Sequence, residues 1–421
     1  MGSPSHDGVG KEMEMCGVGE IDKDAHDWAG KPRCVGGKLP WRRPPIILTS
    51  SLGRSLRLLH DKTIGVVVPC YNEASQIERV LDRMPAFVDT VIVVDDASRD
   101  ATVEVVEGWI ENHAGEWPEV VLLRHETNRG CGAAIATGYK EAVRREIGVT
   151  ASMDGDGQMP PDQLALLVEA VASGNADYAK GNRLFHGEAW DTMPRHRYFG
   201  NAFLSMLTKI ASGYWHVADS QSGYRAISLE ALQLLYLDAL YPRYGYPNDL
   251  LVRLNALDMR VADVHVKPVY NVGEKSTMKI FSVVPRMSWL IFKRFVWRLW
   301  WKYVVYDFHP LVLFYSCGGL ALLGGGLFGL YLILLRIFDG PQTVTSALFS
   351  AVLLLSGIQL VLFAMSFDMQ INRHLRAEPP RHANPPDLPN ASRRGGTRPS
   401  RVRATGSTSL HNPVTVSSSR S

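Results

Sequence analysis

The sequence predicts an α/β domain with a mostly parallel sheet, followed by two membrane-spanning helices. Three observations carry this. Short β-branched runs, "IGVVVP" (64–69), "TVIVVDD" (90–96) and "VVLLR" (120–124), alternate with longer amphipathic segments, as parallel strands do when crossover helices cover both faces of a sheet. Residues 311–335 and 343–367 carry no charge, and each stretch is long enough to cross a bilayer of about 30 Å as a helix. The chain has 421 residues, 46% of them apolar, enough to bury a full core.

Residues 1–61 mix Gly, Pro and charge with little periodicity and read as a poorly ordered extension, with no apolar segment near Met1 of signal-peptide length. The α/β domain is expected over 62–285. Its first helices fall in "NEASQIERVLDRM" and "DATVEVVEGWIENH", the second with Asp100 placed as an N-cap. Apolar runs at 149–153, 176–180 and 261–266 extend the sheet. Over 286–309, Lys293, Arg294, Arg298 and Lys302 interleave with Trp297, Trp300, Trp301 and Tyr303, the composition of an amphipathic helix at headgroup level. Spans are expected at 310–338 and 343–367, joined so tightly around Gly340 that they form a hairpin. Arg373, Arg376 and a tail at 377–421, with seven Arg against two acids from 378 onward, follow it. The positive-inside tendency then predicts a multi-pass membrane protein whose α/β domain and both termini are cytoplasmic. The tail reads as disordered and basic, the Asn390-Ala391-Ser392 sequon as unused, and the spans as a candidate homo-oligomer surface.

Composition excludes other classes. A net charge of +3 gives no general signature for nucleic acid. Five cysteines, at 16, 34, 70, 131 and 317, show no CxxC or zinc-ligand spacing, which argues against a disulfide framework.

The chemistry-bearing stretches lie where strands end. "DGDGQ" (154–158) closes the run at 149–153, and pleating throws alternate side chains to one side, so Asp154 and Asp156 can face one point. Two hard oxygen ligands suit Mg²⁺ or Mn²⁺, which complete their shells with water and phosphate oxygens. Turn formation explains an isolated DGDG equally well. Position at the carboxyl end of a strand in an open α/β sheet favours a ligand site. "PCYNE" (69–73) and "VVDDAS" (93–98) end neighbouring strands, although helix capping would also account for Asp96 and Ser98. "NRGCGAAIATG" (128–138) has glycines where a chain could pass near a phosphate, yet it lacks the dinucleotide and P-loop spacings.

Taken in order, "PCYNE", the VVDD segment, "NRGCGAA" and "DGDGQ" resemble the motifs of family 2 glycosyltransferases of the GT-A type, with a Rossmann-like sheet. "GNRLF" (181–185), "MPRHRYFGN" (193–201), "DSQSGYRAIS" (219–228) and "YNVGEKS" (270–276) are similar to segments of the branch that acts on polyprenyl and dolichyl phosphates, including dolichol-phosphate mannose synthases. The resemblance covers about residues 62–375. It implies that Pro69, Tyr71, Glu73 and Asp95 border the nucleotide, that Asp154 and Asp156 hold the metal, and that Gln158 sits beside the sugar or metal. It further implies phosphate contacts for Arg183 and Arg197, a sugar and acceptor pocket lined by Asp219, Gln221 and Arg225, and acceptor-phosphate contacts for Lys275 and Ser276. Ala97 departs from the pattern, standing where the family often has Gly. The later acidic residue appears as Asp249.

The implied reaction is inverting transfer of a hexose from UDP-glucose or GDP-mannose to a polyprenyl or dolichyl phosphate, with Mg²⁺ or Mn²⁺ as cofactor. Its main difficulty is the negative charge of the two partners. The alternatives are another lipid acceptor or an inactive membrane-tethered scaffold. A solvated-surface role accounts for Arg183 and Arg197 without any ligand.

Overall fold

The computed structural model describes residues 60–115, 118–157, 159–183, 195–267, 280–338, 340 and 343–378, with the side chains of 195–198 and 280–283 outside that set. The extension up to residue 59, the tail beyond 378, and Gln158, Lys275 and Ser276 also lie outside it.

The expected alternation is present. Strand β1 (Ile64–Cys70) leads to α1 (Ile77–Asp82), β2 (Thr90–Asp95), α2 (Thr102–Asn112), β3 (Glu119–Arg124), α3 (Cys131–Arg144), β4 (Val149–Ser152), α4 (Leu164–Ala172) and β5 (Tyr178–Asn182). There follow α5 (Arg195–Ser212), β6 (Arg225–Ser228), α6 (Leu229–Leu234), α7 (Tyr246–Ala256), β7 (Val261–His265) and α8 (Ile280–Trp300), which continues as a π-helical turn (Trp301–Tyr306). The apolar helices α9 (Leu311–Phe338) and α10 (Val344–Ile371) precede a two-residue strand, β8 (Arg376–Ala377).

One sheet runs in the order β3-β2-β1-β4-β6-β5-β7-β8. β6 is antiparallel to both its neighbours, and the other described pairings are parallel. Burial on both faces explains the unbroken apolar runs: Val66 and Val68 join the core beneath α1, α2 and α4, while Val67 joins the core beneath α3. Gly138 in α3 faces Val67 so closely that a methyl there would overlap the valine, which offsets the helix-propensity cost of a mid-helix glycine. Asp100 sits two residues before α2 and accepts from Thr102 N at 3.1 Å, so it caps the helix start as expected, one residue outside the N-cap position itself.

The loops after β1 and β2 are stitched together. Asn72 N donates to Ser98 Oγ at 2.9 Å, and Arg99 N donates to Asn72 Oδ1 at 2.8 Å. Asn72 and Ala97 both have φ of 60°. Asparagine tolerates that left-handed region; alanine pays about 1–2 kcal/mol for it. Ala97→Gly is therefore expected to stabilise the protein by up to about 1 kcal/mol after glycine's own entropic cost. A higher thermal midpoint is the readout, and an unchanged or lower one would refute the strain.

Both α9 and α10 are long and apolar enough to cross a membrane. Gly318, Gly325 and Gly357 let them approach closely. α10 runs four residues beyond the expected end at 367, because Asp368, a charge that should stop a span, is fully buried against Arg298 at 2.9 Å. The chain then returns to the domain, where Arg376 and Ala377 pair with Val261 and Ala262. Both ends of the hairpin thus lie on the side of the α/β domain.

Candidate functional site

A cleft of about 350 Å³ opens at the carboxyl ends of β1, β2 and β4. Pro69, Tyr71 and Glu73 enter it from β1, Asp154 and Asp156 from β4, and Gln221 and Arg225 from the segment leading into β6. β6 contributes at this end because it runs antiparallel, so that its first residue, not its last, meets the cleft.

Asp154 and Asp156 line one cavity, but not through strand alternation: β4 ends at Ser152, and Asp156 stands in the turn that follows. Burial and the neighbouring Asp156 push the Asp154 carboxyl up to about 6, against the pull of Arg225. Burial, then Asp156, Asp100 and Asp154, push Glu73 up to about 7. The Asp154 carboxylate accepts no hydrogen bond among the described residues, while its backbone N–H points to Met159 Sδ at 3.4 Å. A methyl on Gly223 would overlap Asp154 Oδ2, so that glycine lets the carboxylate lie against the backbone. Two crowded, partly desolvated carboxylates on one cavity are a donor set that a divalent cation fits: hard oxygens, two from protein, the remainder from water and phosphate. Among the described residues no third acid, His or Cys completes a protein-only cage.

Arg225 forms part of the cleft floor and is fully buried. Its Nε donates to Gly223 O at 2.9 Å and its Nη2 to Tyr246 Oη at 2.7 Å, with the guanidinium 4.5 Å from the Tyr246 ring centroid. Nη1 has no hydrogen-bond partner. A buried cation that pairs with no described carboxylate and keeps a free donor is suited to an anionic ligand.

Other expected residues are placed differently. Arg183 and Asp219 pair with each other, Nε to Oδ2 at 2.7 Å, and neither lines the cleft. Burial would raise the Asp219 carboxyl, but Arg183 outweighs it and holds it below its usual value. Asp95 is buried and accepts from Ser98 N, while its neighbour Asp96 reaches the cleft wall. Arg197 lies in the first turn of α5, its side chain outside the described set.

Asp96 is the residue the sequence left ambiguous, and it caps no helix. It accepts from Arg129 N at 2.8 Å and Gly130 N at 2.7 Å, and its Oδ1 lies 2.7 Å from His125 Nδ1. The glycine-rich loop therefore spends two amide donors on a protein carboxylate. Side chains at Gly130 and Gly132 would overlap the carbonyls of Pro242 and Tyr241, so these glycines admit the segment that carries Arg243, Tyr244 and Tyr246 to the cleft. That segment has no recognisable spacing and went unread in the sequence. Asp249 is bound on two sides, 3.0 Å from Arg253 Nε and 2.6 Å from Arg294 Nε.

The profile of glycosyl transferase family 2 matches residues 65–235. The UDP-N-acetylglucosamine–dolichyl-phosphate N-acetylglucosaminyltransferase of Methanococcus voltae is 31% identical, over 50% of this chain and 87% of its own. An undecaprenyl-phosphate mannosyltransferase of Micrococcus luteus is 32% identical over 48% and 81%, and a polyprenol monophosphomannose synthase of Mycolicibacterium smegmatis 31% over 51% and 80%. Among solved structures, glucosyl-3-phosphoglycerate synthase from Mycobacterium tuberculosis, in complex with Mn²⁺, UDP and glucosyl-3-phosphoglycerate, aligns at 21% identity and a TM-score of 0.42, over 62% of this chain and 86% of its own.

Proposed function

This chain belongs to glycosyl transferase family 2, and from that premise we propose that it is an inverting hexosyltransferase. It moves a sugar from a nucleoside diphosphate, UDP-glucose or GDP-mannose, to a polyprenyl or dolichyl phosphate at the cytoplasmic face of a membrane. The observation that carries the reading is one cleft in which two crowded carboxylates stand beside a buried arginine with one unpaired donor, on a domain tied at both ends to an apolar hairpin. Relatives named for dolichyl, undecaprenyl and polyprenol phosphates support the acceptor class.

Asp154 and Asp156 would hold Mg²⁺ or Mn²⁺, which when bound neutralises charge on the leaving diphosphate. Arg225 faces the same anion from the floor, and Tyr71 and Glu73 border the nucleotide. Gln221 turns a polar side chain toward the sugar. The Arg183–Asp219 pair stiffens the wall behind it, and Arg197, Lys275 and Ser276 serve the acceptor phosphate. One phosphate oxygen of the acceptor attacks the anomeric carbon as the nucleotide leaves from the opposite face, which inverts the configuration. A phosphate monoester, with a second pKa of about 6, is largely dianionic at neutral pH, so the step needs no strong general base. The double arginine contact of Asp249 suits a structural role for that carboxylate.

Membranes containing the protein, incubated with undecaprenyl phosphate and radiolabelled UDP-glucose, UDP-N-acetylglucosamine or GDP-mannose, should move label from one donor into the organic phase. Label in none of them would refute the proposal.

A further inference from the structure

The strongest unassigned feature lies where the domain meets the hairpin. Arg298 of α8 is fully buried and holds Asp368 of α10 with both forks, Nη1 to Oδ1 at 3.1 Å and Nη2 to Oδ2 at 2.9 Å. The same Nη1 donates to Asn255 Oδ1, in the last turn of α7, at 3.1 Å. Lys302, in the π-helical turn, donates to the Asn255 carbonyl at 2.9 Å and to Asn372 Oδ1, just past α10, at 3.0 Å. Gly213, with φ of 74°, closes α5 where any methyl would overlap the Arg298 guanidinium. The end of α10 is thus tied to α7 and α8 by a two-forked ion pair with amide partners.

Desolvation makes a buried ion pair a poor source of stability, and apolar residues of similar volume would hold the helices as well. What the forked geometry adds is a fixed rotation and register of one helix against another. The helix it fixes leads to the cleft. Tyr246 and Pro247, in the first turn of α7, line the cavity, and Asn255 lies about 13 Å along the axis at about 1.5 Å per residue. Between them α8 grips α7 twice, through Arg294 on Asp249 and through Trp297 beneath Arg253, 5.6 Å from ring centroid to guanidinium.

We infer that Arg298 and Asp368 are positioning residues, forming a joint that sets the tilt and height of the cleft over the bilayer so that a membrane-borne phosphate meets the donor. This rests on the lipid-phosphate acceptor proposed above. Misplacement by about 1 Å can cost a hundredfold in rate, so even a loosened joint is visible in turnover.

The test uses the full chain in lipid nanodiscs, as wild type, as Asp368→Asn, and as the double variant Arg298→Met/Asp368→Leu, which leaves no charge stranded. Each is assayed with undecaprenyl phosphate in the disc and with a short, water-soluble isoprenyl phosphate. Both variants should lose at least about tenfold in transfer to the embedded acceptor. Transfer to the soluble acceptor and binding of the donor nucleotide should stay near wild type, and residues 372–377 should exchange amide hydrogens faster in Asp368→Asn. Equal losses on both acceptors would reduce the joint to a purely structural contact, and full activity of the double variant on the embedded acceptor would overturn it. If the wild type transfers to neither phosphate, the acceptor proposal falls, and hydrogen exchange decides the joint alone: unchanged protection at 372–377 in Asp368→Asn refutes it.

Discussion

Asp156→Asn is expected to lower sugar transfer by roughly 10²–10³-fold, the scale on which single groups that stabilise transition-state charge act. The protein should remain folded, because asparagine keeps the volume and removes a charge that the site tolerates poorly: burial and Asp156 together hold the Asp154 carboxyl up at about 6 against an ordinary 3.8. Loss of one of two repelling carboxylates relieves the metal-free protein, so its melting midpoint without divalent ions should stay level or rise. Added Mn²⁺ should raise the midpoint of the wild type and do so much less in the variant. Transfer by the wild type should vanish with a chelator and return with Mn²⁺ or Mg²⁺. Near-normal turnover of Asp156→Asn would show that the carboxylates form a turn and nothing more.

The parts of this molecule that were legible in the sequence are those where one physical demand dominates. β1, β2 and β4 are buried on both faces, and the runs around Val66–Val68 and Val91–Val94 announce it. β6 and β8, of four and two residues, are too short for any period and exist because neighbouring strands offer them hydrogen bonds. α10 outran its expected end because Asp368 found a partner 70 residues earlier in the chain, which no local pattern reveals. In the site, the place of Asp154 and Asp156 just beyond a strand end was readable, but the turn after Ser152, not strand alternation, brings both to the cavity. Asp96 was not, since the amides it accepts belong to a loop more than 30 residues away. The glycines at 130 and 132 illustrate a limit of motif reasoning: a glycine marks a close approach without saying what approaches, and here it is the protein's own backbone.

Arg225→Met separates binding from folding more sharply than any other substitution in the cleft. A fully buried guanidinium loses its hydration, and in this protein it recovers two carbonyls, the Tyr246 hydroxyl and ring, and the field of the nearby Asp154 carboxylate, with Nη1 unpaired. Taking an ion out of water costs several kcal/mol, and hydrogen bonds to neutral acceptors return only part of that. The arginine is therefore only partly compensated in the empty protein, and a diphosphate or phosphate anion in the cleft would supply the rest. Methionine fills similar volume with no charge to desolvate, so the variant should melt at or above the wild-type temperature in the absence of ligand. It should also lose most of the thermal shift that donor nucleotide gives the wild type, and transfer should fall by roughly 10²-fold or more. If Arg225 served the fold instead, the order would reverse: the variant would melt lower while its nucleotide-induced shift survived.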